Sequence, residues 1–84
     1  MPWSIAWTPR ALRDFTALEG PERERILAKL VASCDNPERF FQRLKGSRLY
    51  RLRVGDRRFV ALLVFKHHVI EVRGIGHRST VYDR

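Results

Sequence analysis

The stretch Tyr50–Phe65, YRLRVGDRRFVALLVF, decides the fold because it reads as two strands joined by a tight turn. From Leu49 to Val54, apolar residues alternate with arginines, a pattern typical of a strand with one buried face. Gly55 and Asp56 follow directly and suit a two-residue turn with glycine first. The stretch therefore predicts a β-hairpin.

A two-residue turn also fixes which side chains share a face of the sheet, because successive side chains on a strand point to opposite sides. The predicted register brings Arg51, Arg53 and Arg58 onto one face. The predicted pairs are Val54 with Arg57, Arg53 with Arg58 and Arg51 with Val60.

The strand after the hairpin is predicted to return through a second turn at His67 and His68. That turn would pair Val64 with Glu71, Leu62 with Arg73 and Val60 with Ile75. The same parity adds Arg73 to the face that holds the other arginines. The opposite face then collects apolar side chains and is expected to pack against helices: Phe59, Leu63, Phe65, Ile70 and Val72.

The N-terminal half predicts one strand and two helices. Trp3, Ile5 and Trp7 alternate with small residues, as in a strand. Thr8-Pro9 is typical of a helix start, and Gly20-Pro21 ends that helix and begins a second one. Asp35-Asn36-Pro37 ends the second helix, since a residue before proline avoids helical dihedral angles.

The order of elements predicts a single α+β domain over residues 1–84. It consists of an N-terminal strand, a helical hairpin and a three-strand antiparallel meander. The strands form one sheet packed on two helices.

The charge balance favours a polyanionic partner. Seventeen Lys and Arg against nine Asp and Glu give a net charge of +8. Nine of those cations lie between Arg48 and Arg84, against three acids. Such clustering is more typical of a binding face for nucleic acid, the ribosome or an acidic protein than of an evenly solvated surface.

The single cysteine, Cys34, excludes an internal disulfide and is interpreted as buried helix filler. No cofactor is predicted, and no metal set is found around Cys34 or the two turn histidines. The sequence contains no apolar run near the ~20 residues of a membrane span and no signal-peptide pattern at its start. A cytoplasmic protein without a membrane partner is therefore expected.

The clustered arginines predict a phosphate site. Like charges directly across a hairpin cost about 0.2 to 1 kcal/mol relative to neutral pairs, so they do not stabilise the sheet. A bound anion reverses that effect, and the planar guanidinium group binds phosphate oxygens in pairs. The alternative is a solvated outer face of an open sheet.

The last segment, GIGHRSTVYDR, adds residues that could transfer protons or bind a base beside this face. His77 is the side chain best suited to move protons near neutral pH. Tyr82 could stack on a base or orient a hydroxyl group, as aromatic residues do in RNA sites.

Three blocks, NPERFFQRLKG, YRLRVGDRRFV and GIGHRSTVY, together with the order of elements, resemble the RelE/ParE superfamily of type II toxin–antitoxin toxins. The resemblance covers essentially the whole chain. RelE-like members are ribosome-dependent mRNA endoribonucleases. The resemblance implies a metal-free reaction in which the 2′-hydroxyl attacks the neighbouring phosphate and leaves a 2′,3′-cyclic phosphate and a 5′-hydroxyl.

The resemblance also implies roles for single residues. Arg51 and Arg53 fall where RelE has two lysines, and Arg58 falls on the transition-state arginine. Arg78 falls on a basic residue near the leaving group, with a shorter segment after it than in RelE, and Tyr82 on the C-terminal tyrosine. The predicted catalytic residues are Arg58, Arg78, Tyr82 and His77, and the predicted RNA-binding residues are Arg51, Arg53, Lys45, Arg57 and Arg73.

Two departures from the family pattern bear on activity. Arginine stays protonated, so Arg51 and Arg53 are poor proton acceptors where lysines could serve. Arg57 replaces a family tyrosine and adds charge beside the site. Proton transfer then belongs to His77 or Tyr82, or the protein cuts slowly or not at all.

Alternatives remain open at this point. ParE-like members share the fold and poison DNA gyrase, and a third reading is an inactive module that only binds its antitoxin. The expected partners are a cognate antitoxin, the ribosome and mRNA, with operator DNA bound only through the antitoxin complex.

Overall fold

The computed structural model describes residues 2–77 and shows a five-stranded sheet with three helices. The elements in chain order are β1 (Ser4–Trp7), α1 (Pro9–Thr16), α2 (Gly20–Ser33), α3 (Pro37–Phe40), β2 (Gln42–Arg43), β3 (Tyr50–Val54), β4 (Arg57–Val64) and β5 (Val69–His77). The strand order is β1-β5-β4-β3-β2, with β1 parallel to β5 and the other neighbours antiparallel. The predicted α+β class, with one sheet packed on helices, is confirmed. The short elements α3 and β2 were not predicted.

Helix boundaries follow local sequence. The Thr8 hydroxyl caps α1 by accepting a hydrogen bond from the Ala11 amide at 3.2 Å, and Pro9 occupies the first turn. The Arg23 guanidinium donates to the carbonyl oxygens of Thr16 and Leu18 and so satisfies acceptors at the end of α1. Pro37 follows the end of α2, as predicted.

One face of the sheet and the helices form a single hydrophobic core. Ile26 and Leu30 of α2 are fully buried and belong to the same cluster as Leu52, Phe59 and Val72 of the sheet. At one edge, Trp7 packs on Phe15 with ring centroids 4.8 Å apart. The core therefore takes one face of β3 and β4 and leaves the other without a helical cover from α2.

The hairpin between β3 and β4 has the predicted even register. Gly55 adopts a φ of +59°, and Asp56 does not have a positive φ. This is the φ pattern of a type II′ turn, whose twist matches that of the flanking strands. The pairs of Arg51 with Val60, of Arg53 with Arg58 and of Val54 with Arg57 are all present.

The predicted register between β4 and β5 is wrong. The turn spans Phe65–His68, and Val64 pairs with Val69 instead of Glu71. His68 has a φ of +54°, a left-handed conformation that is uncommon for residues other than glycine. The turn has four residues, and its left-handed position holds a histidine instead of a glycine. The sequence therefore contains no residue that distinguishes this turn from a two-residue turn.

A β-bulge further changes the last hairpin. Val60 pairs with Gly74 and the next residue, Ala61, pairs with Val72, so Arg73 is an extra residue on β5. The predicted pairs of Leu62 with Arg73 and of Val60 with Ile75 are therefore replaced.

Cys34 is buried, as expected, and 8% of its surface is exposed. Its thiol donates to the Leu30 carbonyl oxygen at a distance of 3.4 Å. Burial, and secondarily the nearby Asp35 carboxylate, raise the pKa of the thiol above its ordinary value.

The Cys34 thiol should react slowly in the folded protein, since the raised pKa lowers the thiolate fraction at pH 8 and burial limits access. The rate of reaction with Ellman's reagent measures this. Unfolding in urea should restore the rate of an ordinary cysteine. An equal rate in the folded and unfolded states would contradict the burial of Cys34.

Replacing Gly55 with alanine should lower the free energy of unfolding by about 1–2 kcal/mol, because an alanine pays that cost in the left-handed region. Urea denaturation of both proteins gives the difference. Gly20→Ala is the matched control: Gly20 begins α2 without a positive φ, and an added methyl group meets only the Arg23 side chain at 3.9 Å. A Gly20→Ala loss as large as that of Gly55→Ala would contradict the role of the turn.

Candidate nucleic-acid interface

Three arginines share the face of the sheet opposite the core. Arg53 and Arg58 are direct cross-strand partners, and Arg51 lies two residues along β3 on the same side. The intervening residues Leu52 and Phe59 are buried in the core, 2% and 0% exposed. We call Arg51, Arg53 and Arg58 the arginine face.

The three side chains differ in their surroundings. Arg53 is exposed, whereas the Arg51 guanidinium donates to the Gln42 side-chain oxygen at 3.1 Å. Nε of Arg58 is buried and has no hydrogen-bond acceptor within residues 2–77. A buried donor without a partner is costly, so Arg58 is suited to an anion that supplies one.

On the neighbouring strand β5, the residues beside Arg58 and Val60 are glycines. Gly76 is the partner of Arg58 on β5, and Gly74 is the partner of Val60. At these two positions, β5 therefore contributes no side chain beside Arg58. The cross-strand pair of Arg53 and Arg58 costs about 0.2 to 1 kcal/mol as an isolated like-charge pair, and binding of an oxyanion would offset this cost.

Arg57 does not join the arginine face. Its parity places it on the helical side of the sheet, where Nε donates to Glu22 of α2 at 2.8 Å and an Nη donates to the other carboxylate oxygen at 3.4 Å. Both side chains are about 30% exposed. The two-point ion pair connects α2 to the start of β4.

Arg73 reaches the open side of the sheet, yet it lies apart from the arginine face. It donates to the Glu71 carboxylate at 3.1 Å in a solvent-exposed ion pair. It also lines a separate cavity of about 500 Å³ with Arg10 and Arg13 of α1. The β-bulge explains this placement, since it shifts Arg73 out of the predicted register.

The remaining predicted residues lie in the loop before β3 and in the C-terminal segment. Lys45 is exposed and lines a surface cavity formed by the loop between β2 and β3, beside Arg43 and Arg48. The backbone of His77 pairs with Arg57. The side chain of His77, and all of Arg78 and Tyr82, lie outside the described residues.

Sequence reasoning missed four residues beside the arginine face. Lys29, Arg39, Phe40 and Gln42 line one cavity with Arg51 and Arg53. They come from α2, α3 and β2, and nothing in their local spacing brings them together. The one local signal is the density of basic and aromatic residues in PERFFQR, which is typical of nucleic-acid binding.

Within residues 2–77, His, Cys, Asp and Glu side chains form no group of three or more that could hold a metal ion. No described helix has both the length and the apolar character needed to cross a bilayer.

Comparison with known proteins gives a family and a fold. The family model described as ParE toxin of type II toxin-antitoxin system, parDE, matches residues 5–82. No curated protein sequence matches the chain significantly.

Solved structures of toxin–antitoxin complexes share the fold. The intact E. coli RelBE complex contains a chain that is 24% identical with a TM-score of 0.78, over 89% of this chain and 95% of that one. The archaeal RelE-RelB complex from Pyrococcus horikoshii gives 22% identity and a TM-score of 0.76, over 96% and 100% of the two chains. The RelBE2 complex from Mycobacterium tuberculosis gives 20% identity and a TM-score of 0.75, over 93% of this chain and 100% of that one.

A double-mutant cycle of Glu22→Gln and Arg57→Gln should give a coupling energy of about 0.2–1 kcal/mol, the range for partly exposed ion pairs. Urea denaturation of the two single variants and the double variant measures this energy. If Arg57 acts in stability alone, Arg57→Gln should also leave RNA affinity within about twofold. A large loss of RNA affinity with no coupling to Glu22 would instead restore Arg57 to the interface.

Proposed function

The chain belongs to the ParE toxin family of type II toxin–antitoxin systems, and from that premise we propose that it is a ribosome-dependent mRNA endoribonuclease. The observation that carries the proposal is the arginine face. Three guanidinium groups share one side of the sheet, and one of them has a buried nitrogen with no acceptor among the described residues.

The proposed reaction is attack of a 2′-hydroxyl on the adjacent phosphate. The O2′–P bond forms, the P–O5′ bond breaks, and the products are a 2′,3′-cyclic phosphate and a 5′-hydroxyl. A base takes the proton from O2′, an acid gives one to O5′, and cations stabilise the extra negative charge on the phosphate in the transition state.

Arg58 is proposed to stabilise that charge. Its buried Nε would donate to a non-bridging phosphate oxygen, which supplies the acceptor that the described chain lacks. Donors fixed before the reaction begins need no reorganisation when charge develops. Arg53, directly across the hairpin, would hold the same or the adjacent phosphate.

Proton transfer is assigned to the C-terminal segment. Arg51 and Arg53 remain cationic and are unsuited to accept a proton. His77 and Tyr82 are therefore the candidates for base and acid, with Arg78 beside the leaving oxygen. These three roles rest on the resemblance to RelE. The strand register pairs the backbone of His77 with Arg57 and not with Arg58, so the register itself does not place His77 on the arginine face.

A cognate antitoxin is the proposed regulatory partner. The similar structures include RelE toxins bound to RelB antitoxins from bacteria and archaea. On this chain, the helical layer leaves Leu12, Leu27 and Val31 between 42% and 58% exposed. An acidic amphipathic segment would cover these apolar side chains and complement the charge of +8.

The family match supports a second candidate, inhibition of DNA gyrase. The matching family model is that of ParE toxins, and resemblance to ParE-like members implies a gyrase target. In that case the arginine face would bind an acidic or nucleic-acid surface without cleaving it. Supercoiling by purified gyrase would then stop in the presence of the protein, while programmed ribosomes would keep their mRNA intact.

Arg58→Ala should reduce mRNA cleavage on programmed ribosomes by about 10²-fold or more, because it removes a fixed donor to the developing charge. Mapping of mRNA ends in a purified translation system measures cleavage. Growth arrest on expression without antitoxin should disappear in parallel. Arg57→Gln, which removes the adjacent charge on the other side of the strand, is the matched control and should cleave normally. Undiminished cleavage by Arg58→Ala would refute the proposed site.

A further inference from the structure

A cavity runs along the outer edge of β3, next to the arginine face. β2 pairs with β3 only at Tyr50 and Arg51, so β2 does not extend along Leu52–Val54. The cavity begins at that point and has a volume of about 410 Å³. The residues that line it, which we call the edge cavity, are Lys29, Arg39, Phe40, Gln42, Arg51, Leu52 and Arg53.

The edge cavity is strongly cationic. Four of its lining residues are Lys or Arg, and none is Asp or Glu. Within residues 2–77, none of the four forms an ion pair. Its one neutral acceptor, the Gln42 side-chain oxygen, already accepts from Arg51. The side chains that line the cavity therefore carry a net positive charge.

An aromatic ring completes the edge cavity. Phe40 and Phe41 are consecutive, and they have different environments. Phe41 belongs to the core and is 5% exposed, whereas Phe40 is 37% exposed and lines the cavity. A cationic groove with an exposed aromatic ring is the combination that binds single-stranded nucleic acid, since the ring stacks on a base and the cations bind the backbone.

We propose that the edge cavity is a subsite for one nucleotide of single-stranded RNA that flanks the nucleotide at the arginine face. The flanking base stacks on Phe40, and its phosphate lies between Lys29 and Arg39. The proposal rests on the proposed function and extends it from the reacting phosphate to the neighbouring nucleotide.

Arg51 and Arg53 connect the two sites. Both lie on the arginine face, and both also line the edge cavity. They are two residues apart on β3, about 7 Å along the strand. An RNA strand that places one phosphate at Arg58 can therefore continue across Arg53 or Arg51 into the cavity.

The same geometry disfavours a peptide that adds a strand to the sheet. Only Leu52–Val54 remain beyond the pairing with β2, and three residues offer few backbone hydrogen bonds to an added strand. Recognition in the cavity must come mainly from side chains. Those side chains are cations and an aromatic ring, which favours RNA.

The test uses the full-length protein without ribosomes and a fluorescein-labelled octariboadenylate. Fluorescence anisotropy gives the dissociation constant, and thermal unfolding confirms that each variant folds. Phe40→Ala should weaken binding by about tenfold or more, the effect of losing one stacked base. Phe65→Ala is the matched control, since Phe65 is 45% exposed and packs on Trp3 instead of lining the cavity. It should change affinity less than twofold.

The contribution of the edge-cavity cations to RNA binding is tested with two double variants that have the same net charge. Lys29→Gln with Arg39→Gln should weaken binding and reduce the slope of log affinity against log salt by about 0.7, the value for one lost phosphate contact on a single strand. Arg10→Gln with Arg13→Gln removes two cations that line a different cavity. The slope should then change by less than half as much.

Three outcomes would overturn the proposal. The first is wild-type affinity in Phe40→Ala, and the second is an equal loss in the two double variants. The third is displacement of the RNA by an octaglutamate peptide that binds more tightly than the RNA, with its affinity dependent on Lys29 and Arg39. That result would assign the cavity to an acidic peptide.

Failure of the subsite can be told from failure of the nuclease proposal. If mRNA on ribosomes stays intact while octariboadenylate binding depends on Phe40, the subsite is supported and the cleavage reaction is wrong. If Arg58→Ala abolishes cleavage while Phe40→Ala binds and cleaves like the wild type, the nuclease is supported and the subsite is overturned.

Discussion

The cross-strand pairing of Arg53 with Arg58 is the constraint on which the candidate site depends. Two guanidinium groups face each other across a hairpin and repel, so this pairing costs free energy in the isolated protein. The sheet tolerates the cost because the alternate residues of the same strands, Leu52 and Phe59, are buried in the core. A shift of one residue would place arginines in the core and these apolar side chains in water. Hydrophobic burial therefore holds the charges where they oppose each other.

Neighbouring arginines on the two faces of the hairpin have different environments. Arg57 and Arg58 are adjacent, yet one pairs with Glu22 under the helices and the other carries a buried nitrogen without an acceptor in the described chain. A charge with a carboxylate partner contributes modestly to stability. A charge held without a partner is available to a ligand. Because successive side chains on a strand point to opposite faces of the sheet, Arg57 and Arg58 lie in these two different environments.

Sequence patterns predicted the first hairpin well because glycine at position 55 is a strong local signal for a two-residue turn. They failed for the second hairpin because His68, and not a glycine, adopts the left-handed conformation, and because the bulge at Arg73 leaves no compositional mark. For the site, alternation alone identified Arg51, Arg53 and Arg58. The pairing of Arg57 with Glu22 spans 35 positions and follows from tertiary packing, which no local pattern encodes. The same holds for Lys29 and Phe40, which meet only because α2, α3 and β3 converge.

The parallel pairing of β1 with β5 has a consequence for how the protein is made. Ser4 pairs with Val69, so among the described strands β1 has no neighbour until β5 has been synthesised. Translation proceeds from the N-terminus, and contacts so distant in sequence form late in folding. A nascent chain that stalls before β5 leaves β1 unpaired and β4 exposed along the edge that β5 would cover. Such a fragment is unlike the finished protein in its most charged region too, because Gly74 and Gly76 never arrive beside Val60 and Arg58. A product of translation that ends before β5 should accordingly lack the folded arginine face.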